Sequence, residues 1–160
     1  MSERTLILFR HSKSDQSSSE ADIDRPLNAR GRSQAPEAGR WLAENAGTID
    51  MAVVSPAHRA RTSWELASAE LVQLPETRID DRVYGASVSD LLGVVRDLPD
   101  DAHAVILVGH NPGLEDLASL LSKESVSMPT SALAVLEADA AWSSAGESWA
   151  SLRASGRPPI

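Results

Sequence analysis

The segment TLILFRHSKSD, residues 5 to 15, constrains the fold of this chain most. Four apolar residues, Leu6 to Phe9, follow the β-branched Thr5 and give way abruptly to Arg10 and His11. An unbroken apolar run of this length reads as a strand buried on both faces, as in a parallel sheet covered by helices. Arg10 and His11 then stand at the carboxyl end of that strand, where open α/β sheets bind ligands. A guanidinium and an imidazole placed there predict an anion site.

Similar apolar runs recur at Met51–Val54, Ala104–Val108 and Ala132–Leu136, with helically spaced segments between them. That alternation predicts an α/β fold with a mostly parallel central sheet and helices on both faces. The 160 residues fit one domain, 1–160, long enough to bury roughly two-thirds of its unfolded surface. The first helix starts behind the N-cap Asn28 and runs past Trp41 and Leu42, with a bend expected at Pro36. A second covers about His58 to Leu71. A third begins at Ser87, which forms a capping-box pattern with Asp90, and a fourth follows Pro112. Their apolar stripes are core-forming. Past Ala132, two β-compatible pieces around Ser143–Gly146 predict a hairpin at a sheet edge, with Trp142 and Trp149 as packing anchors. The loop Ser12–Asp24, with its serine run Ser17–Ser19, is expected to be a mobile rim.

Composition narrows the function. Cys is absent, which excludes disulfides, thiolate metal sites and a cysteine nucleophile. No apolar stretch approaches the roughly 20 residues that span a bilayer. Met1 to Arg4 lead straight into the first strand without a signal peptide, so a cytoplasmic location is expected. The net charge of -8 argues against nucleic acid or an anionic membrane as a partner. Against that acidic background, Arg10, Lys13, Arg25, Arg30, Arg32, Arg59 and Arg61 all gather in the first 61 residues.

Three strand ends terminate in polar residues able to do chemistry: Arg10 and His11 after Phe9, SPAHRAR with Arg59 and Arg61 after Val54, and GHNPG with His110 after Val108. Singly, each is explained as a structural or capping residue. Together they converge on one edge of one sheet. Two guanidiniums and two imidazoles suit phosphoryl transfer without a metal. Arginines bind phosphate oxygens bidentately and stay charged, and an imidazole nitrogen can hold the phosphoryl group covalently. The flanking positive charge is expected to lower the imidazole pKa and keep it neutral and nucleophilic.

On these residues the sequence resembles the histidine phosphatase superfamily, the phosphoglycerate mutase-like fold. LFRHSKSD matches its Arg-His signature, and DIDRPLNARGRSQA, VVSPAHRARTSWELA and VILVGHNPGLEDLA resemble the short SixA-type phosphohistidine phosphatase branch. The likeness spans about residues 5 to 137 in the right order. It implies a three-layer α/β fold, His11 as a transiently phosphorylated nucleophile, Arg10 and Arg59 as phosphate clamps, and His110 as the second pocket imidazole. Arg25 in DRPL either reaches the pocket or pins the loop through a salt bridge. Ser14 is read as a rim residue near the substrate, and Gly109 as letting the backbone turn tightly around His110.

Two departures matter. Ser12 stands where many members have Gly, a small change that fits. The larger phosphatases and mutases carry a carboxylate general acid, yet Gly85 stands in DDRVYGAS where one is expected; Asp80, Asp81, Glu115 and Asp116 are candidates, though acids in a loop or first helical turn typically serve as caps or solvated charges. Without an acid, alkoxides leave slowly and a phosphoramidate suffers less. The expected function is therefore a metal-independent, cofactor-free phosphatase acting on phosphohistidine in a protein partner and releasing inorganic phosphate. The alternatives are a phosphomonoesterase acting on a small phosphoester and a non-catalytic phosphate- or phosphoprotein-binding module. A zinc hydrolase lacks H-x-x-x-H or H-x-H spacing among His11, His58, His103 and His110, and Asn111 replaces the serine of a nucleophile elbow. A mutase would need a longer segment between Arg59 and His110 to enclose a sugar acid.

Overall fold

Strand and helix alternate as the apolar periodicity requires. The computed structural model describes residues 3–160, so the part of the amino-terminal reading that concerns Met1 and Ser2 lies outside the described residues. In chain order the elements are β1 (Glu3–Arg10), α1 (Ala29–Asn45), β2 (Met51–Val54), α2 (His58–Ser68), β3 (Glu76–Ile79), α3 (Val88–Arg96), β4 (Ala104–Gly109), α4 (Gly113–Ser122), β5 (Leu133–Asp139) and β6 (Ser151–Gly156). The helix starts follow local chemistry. The Asn28 side chain accepts from the Gly31 N–H at 2.9 Å, and Ser87 and Asp90 exchange both hydrogen bonds of a capping box. α1 continues through Pro36 for 17 residues. α2 stops at Ser68, short of the expected Leu71, which still packs half-buried on the core.

The sheet runs β3-β2-β4-β1-β5-β6. β3, β2, β4 and β1 pair in parallel, while β5 and β6 add antiparallel at one edge. Strand alternation sorts side chains onto two faces. Leu6, Leu8, Val53, Val105 and Leu107 face a core completed by Leu91, Val94, Leu114 and Leu117 of α3 and α4. Ile7, Phe9, Val54, Ile106 and Val108 face the opposite core, closed by Ala38 and Leu42 of α1 and by Ala60 and Trp64 of α2. The fold is the expected mostly parallel sheet with helices on both faces. The carboxyl-terminal hairpin is present, and its two tryptophans lie in the connection between β5 and β6. Trp142 is buried, donates to the Ala102 carbonyl at 2.7 Å and stacks on Trp149 with ring centroids 5.6 Å apart.

Sequence periodicity misses β3. Its four residues, ETRI, are all exposed, so it exists through parallel pairing with β2 and not through burial. The Glu76–Arg78 pair places charges on this sheet edge, which discourages pairing with another chain.

α1 and α2 approach so closely that a Cβ at Gly39 would lie 2.1 Å from the Ala67 carbonyl oxygen. No rotamer relieves a clash with backbone. Gly39→Ala is expected to destabilise the fold by about 1–3 kcal/mol, because the two helices must separate. Urea unfolding checks this: the midpoint should fall with little change in slope.

Candidate active site

The parallel register brings three strand ends to one point. β1 pairs with β4 so that Arg10 lies opposite Gly109, and β2 pairs with β4 so that Val54 lies opposite Val108. His11, Ser55 and His110 therefore leave neighbouring strands at the same level. The His11 and His110 ring centroids stand 5.1 Å apart, and Tyr84 meets His110 edge-on at 5.7 Å. The backbone beyond β1 is anchored on both sides: the His11 N–H donates to the Gly109 carbonyl at 3.1 Å, and the Ser131 N–H donates to the Arg10 and His11 carbonyls.

His11 is 6% exposed. Its Nδ1 lies 2.8 Å from the Ser12 carbonyl oxygen, which can only accept, so Nδ1 carries the proton. In the neutral ring, Nε2 then holds a free lone pair. Burial pushes the His11 pKa down to about 3; the Ser12 carbonyl opposes this, and the charges of His110, Arg59 and Arg10 add to it. Burial, followed by the charge of Arg59, likewise pushes His110 down to about 4. Both imidazoles are neutral at pH 7. His110 Nε2 lies 2.7 Å from the Ser55 hydroxyl, which accepts from the Ala57 N–H and can donate its own proton to Nε2; that tautomer places the His110 proton on Nδ1, which is buried without a hydrogen bond.

Hydroxyl groups hold the surrounding backbone. Ser63 Oγ accepts from the Ser12 N–H at 2.8 Å and donates to the Arg59 carbonyl at 2.7 Å, so the segment after His11 and the first turn of α2 are tied together. Ser12 Oγ donates to Ser131 Oγ at 2.9 Å. On the far side α1 abuts the same segment: a Cβ at Gly31 would stand 2.1 Å from the Lys13 carbonyl oxygen. Only glycine permits that approach.

Arg10 and Arg59 each bury an Nε that has no hydrogen-bond partner. Arg10 donates through Nη1 to the Met128 carbonyl at 3.1 Å, and its Nε is buried without a partner. Arg59, 6% exposed, donates through Nη1 to the Asp22 carbonyl at 2.7 Å and through Nη2 to Asp22 Oδ2 at 3.1 Å, and its Nε is also unpartnered. With His110 Nδ1, these are three buried polar nitrogens without a partner, on residues whose ring or charge acts on His11. Leaving such a group unsatisfied costs about 1–3 kcal/mol, which an oxyanion accepting from them would recover.

The carboxylate of the site is Asp22, a residue that sequence reasoning passed over. It accepts from Tyr84 Oη at 2.5 Å, Arg25 Nη2 at 3.1 Å and Arg59, and these bonds, the Tyr84 one foremost, hold its carboxyl well below the usual range. Its spacing from Arg25 in DIDR was the available signal. Two of the candidate acids are engaged elsewhere: Asp80 caps a 3₁₀ turn and pairs with Arg82, and Glu115 accepts from the Met128 N–H.

The remaining expectations divide. His11, Arg10, Arg59 and His110 come together. Arg25 pins the loop, because its guanidinium bonds both Ser14 Oγ and Asp22. Ser14 is not on the rim: it is buried and bridges to Leu27, which closes the base of the loop. Gly109 does not turn the chain. It ends β4, its carbonyl holds the His11 N–H, and a Cβ there would stand 3.0 Å from Val83 Cγ1, a tight contact that the valine would have to yield to. Arg61 is exposed and donates through Nε to the Pro56 carbonyl.

The sequence profile of the histidine phosphatase superfamily (branch 1) matches residues 6–110, a span that contains the whole cluster of strand ends. The chain belongs to that superfamily. Within it, the chain is 31% identical over 145 residues to an uncharacterized protein of Mycobacterium tuberculosis strain H37Rv, covering 84% of this chain and 89% of the relative. Among solved structures, it is similar to a candidate phosphohistidine phosphatase SixA from Nakamurella multipartitia (28% identity, TM-score 0.86, 98% of this chain and 96% of that one). A second similar structure is a candidate SixA from Agrobacterium tumefaciens (26% identity, TM-score 0.78, 84% and 92%). The superfamily fold therefore covers nearly the whole chain. No helix among the described residues is long and apolar enough to cross a membrane.

The lowered histidine pKa values tie stability to pH. An unfolded chain takes up protons on His11 and His110 below about pH 6.5, whereas the folded chain resists until about 3 and about 4. The unfolded state thus binds more protons in that window. Their contribution to stability is expected to be complete above pH 6.5 and to decline progressively toward pH 3. Urea midpoints measured from pH 7 to pH 4 check the direction, and the double variant His11→Gln with His110→Gln should flatten that part of the profile.

Proposed function

We propose that this chain is a metal-independent phosphatase that works through a phosphohistidine intermediate on His11 and takes phosphohistidine in a protein as its preferred substrate. The observation that carries the reading is the His11 Nδ1 bond to the Ser12 carbonyl, which leaves Nε2 as a buried, neutral nucleophile. In the first step the Nε2 lone pair attacks phosphorus, the bond from phosphorus to the leaving nitrogen breaks, and that nitrogen keeps the electron pair. In the second step water attacks phosphorus, the bond to Nε2 breaks, and orthophosphate departs with His11 neutral again. Arg10, Arg59 and His110 Nδ1 donate to the phosphoryl oxygens, where charge spreads in the loose transition state. The fixed positive charge of the two arginines supplies what a metal ion would otherwise provide, and the neutral His110 adds a hydrogen bond.

Asp22 shapes the substrate choice. Its carboxylate is held ionised, so it has no proton to give an alkoxide leaving group. An imidazole leaving group needs no such proton at phosphorus, since its second nitrogen can be protonated by solvent. The Asp22 carbonyl and carboxylate also engage both terminal nitrogens of Arg59, so an incoming phosphoryl group competes with Asp22 for them. The names of the two similar structures, both candidate phosphohistidine phosphatases, support the same substrate class.

Intact-mass measurement after a rapid quench, with phosphoramidate as donor, tests the intermediate. The wild type should gain one phosphoryl group transiently and His11→Ala none; no adduct and no turnover, with phosphate still bound, would instead support a binding module. EDTA is expected to leave turnover unchanged. Asp22→Ala should bind inorganic phosphate about tenfold more tightly by calorimetry, because Arg59 is released from its internal partner. Equal affinity would show that Asp22 does not compete for the guanidinium.

A further inference from the structure

A second cavity, of about 200 Å³, lies against the backbone that carries His11 and contains none of the residues assigned to the phosphoryl site. Arg30, Ser33, Gln34 and Glu37 of α1 form one wall, and Ser131 and Arg157 face them. Two contacts make the residues 10–13 segment the partition between this cavity and the His11 site. Ser131 bonds Ser12 Oγ and the Arg10 and His11 carbonyls, and Gln34 Oε1 accepts from the Lys13 N–H at 3.0 Å.

The chemistry of the lining is that of an anion receptor. Gln34 is 8% exposed, and its Nε2 is buried without a hydrogen bond, although a buried amide normally finds a partner. Neither Arg30 nor Arg157 forms an ion pair among the described residues, even though acidic residues outnumber basic ones by 23 to 15. Two free guanidiniums beside an unsatisfied amide and the Ser33 hydroxyl provide donors from two sides. Glu37 reduces the lining to a net charge of one positive unit, which suits a single oxyanion better than a polyanion. The Arg157 charge also reaches Arg10, where after burial it is a further influence that lowers the guanidinium pKa. An anion in this cavity would offset that repulsion.

We propose that this cavity is an accessory oxyanion site in which Arg30, Arg157 and Gln34 bind one carboxylate or phosphate group next to the phosphoryl pocket. The site stands independently of the catalytic reading; its use in choosing substrates rests on that reading. Its oxyanion is supplied either by an acidic side chain flanking the phosphohistidine or by free inorganic phosphate.

The test titrates the isotopically labelled full chain with inorganic phosphate and follows the Gln34 side-chain amide and the His11 ring resonances separately. The Gln34 amide should shift saturably, and Arg30→Gln with Arg157→Gln should weaken that response about tenfold while His11 responds as in the wild type. A Gln34 amide that does not move, or that moves identically in the variant, overturns the site. Two phosphohistidine peptides, one flanked by glutamate and one by alanine, then separate the sources. A KM that rises about tenfold in the variant for the glutamate peptide alone assigns the oxyanion to the substrate. Unchanged KM values for both, with the Gln34 shift present, assign it to free phosphate. If the wild type turned over neither peptide, the phosphohistidine reading would fail, and the phosphate titration would still decide the site.

Discussion

Everything at this site depends on the parallel ladder β2-β4-β1. Because Arg10 pairs with Gly109 and Val54 with Val108, three chain segments emerge side by side and place His11, His110 and Ser55 within contact distance. The ladder is held in register by burial on both faces. A slip of one residue would exchange Leu6 and Leu8 for Ile7 and Phe9, turning each set into the wrong core. The packing of two hydrophobic layers thus fixes the spacing of the polar groups at the strand ends.

Above that ladder lies a layer of small hydroxyls. Ser12, Ser55, Ser63 and Ser131 are all buried and bind the backbone of the loops, or one another, over short distances. Each satisfies groups that would be costly to bury alone, and together they make the turn after β1 rigid. Rigidity matters because the tautomer of His11 follows from one carbonyl, that of Ser12, being held against Nδ1. The same enclosure keeps both imidazoles neutral, since the penalty for charging a buried ring exceeds what its neighbours return.

The cationic groups are held by different means. Arg10 is fixed by a carbonyl, whereas Arg59 is fixed by Asp22, which reaches across from a different loop together with Arg25 and Tyr84. An anionic side chain thus neutralises part of the cationic charge gathered there. This arrangement ties the loop between β1 and α1 to the first turn of α2, where Arg59 stands.

Local patterns made much of this legible. Period-two burial and uninterrupted apolar runs identify β1, β2, β4 and β5, capping chemistry locates α1 and α3, and abrupt changes from apolar to Arg or His mark Arg10, His11, Arg59 and His110. These signals are readable because each arises within a few neighbouring residues, through strand alternation or a side chain reaching its own backbone. What depended on distant partners was not legible. The exposed strand β3, the pairing of Asp22 with Arg59 and Tyr84, the burial of Ser14 and the close packing at Gly109 exist only through residues far away in the chain. The sequence by itself determined which residue types stand at the strand ends; only the tertiary structure decided which nitrogens remain free there, because hydrogen-bond partners and dielectric surroundings are set by packing.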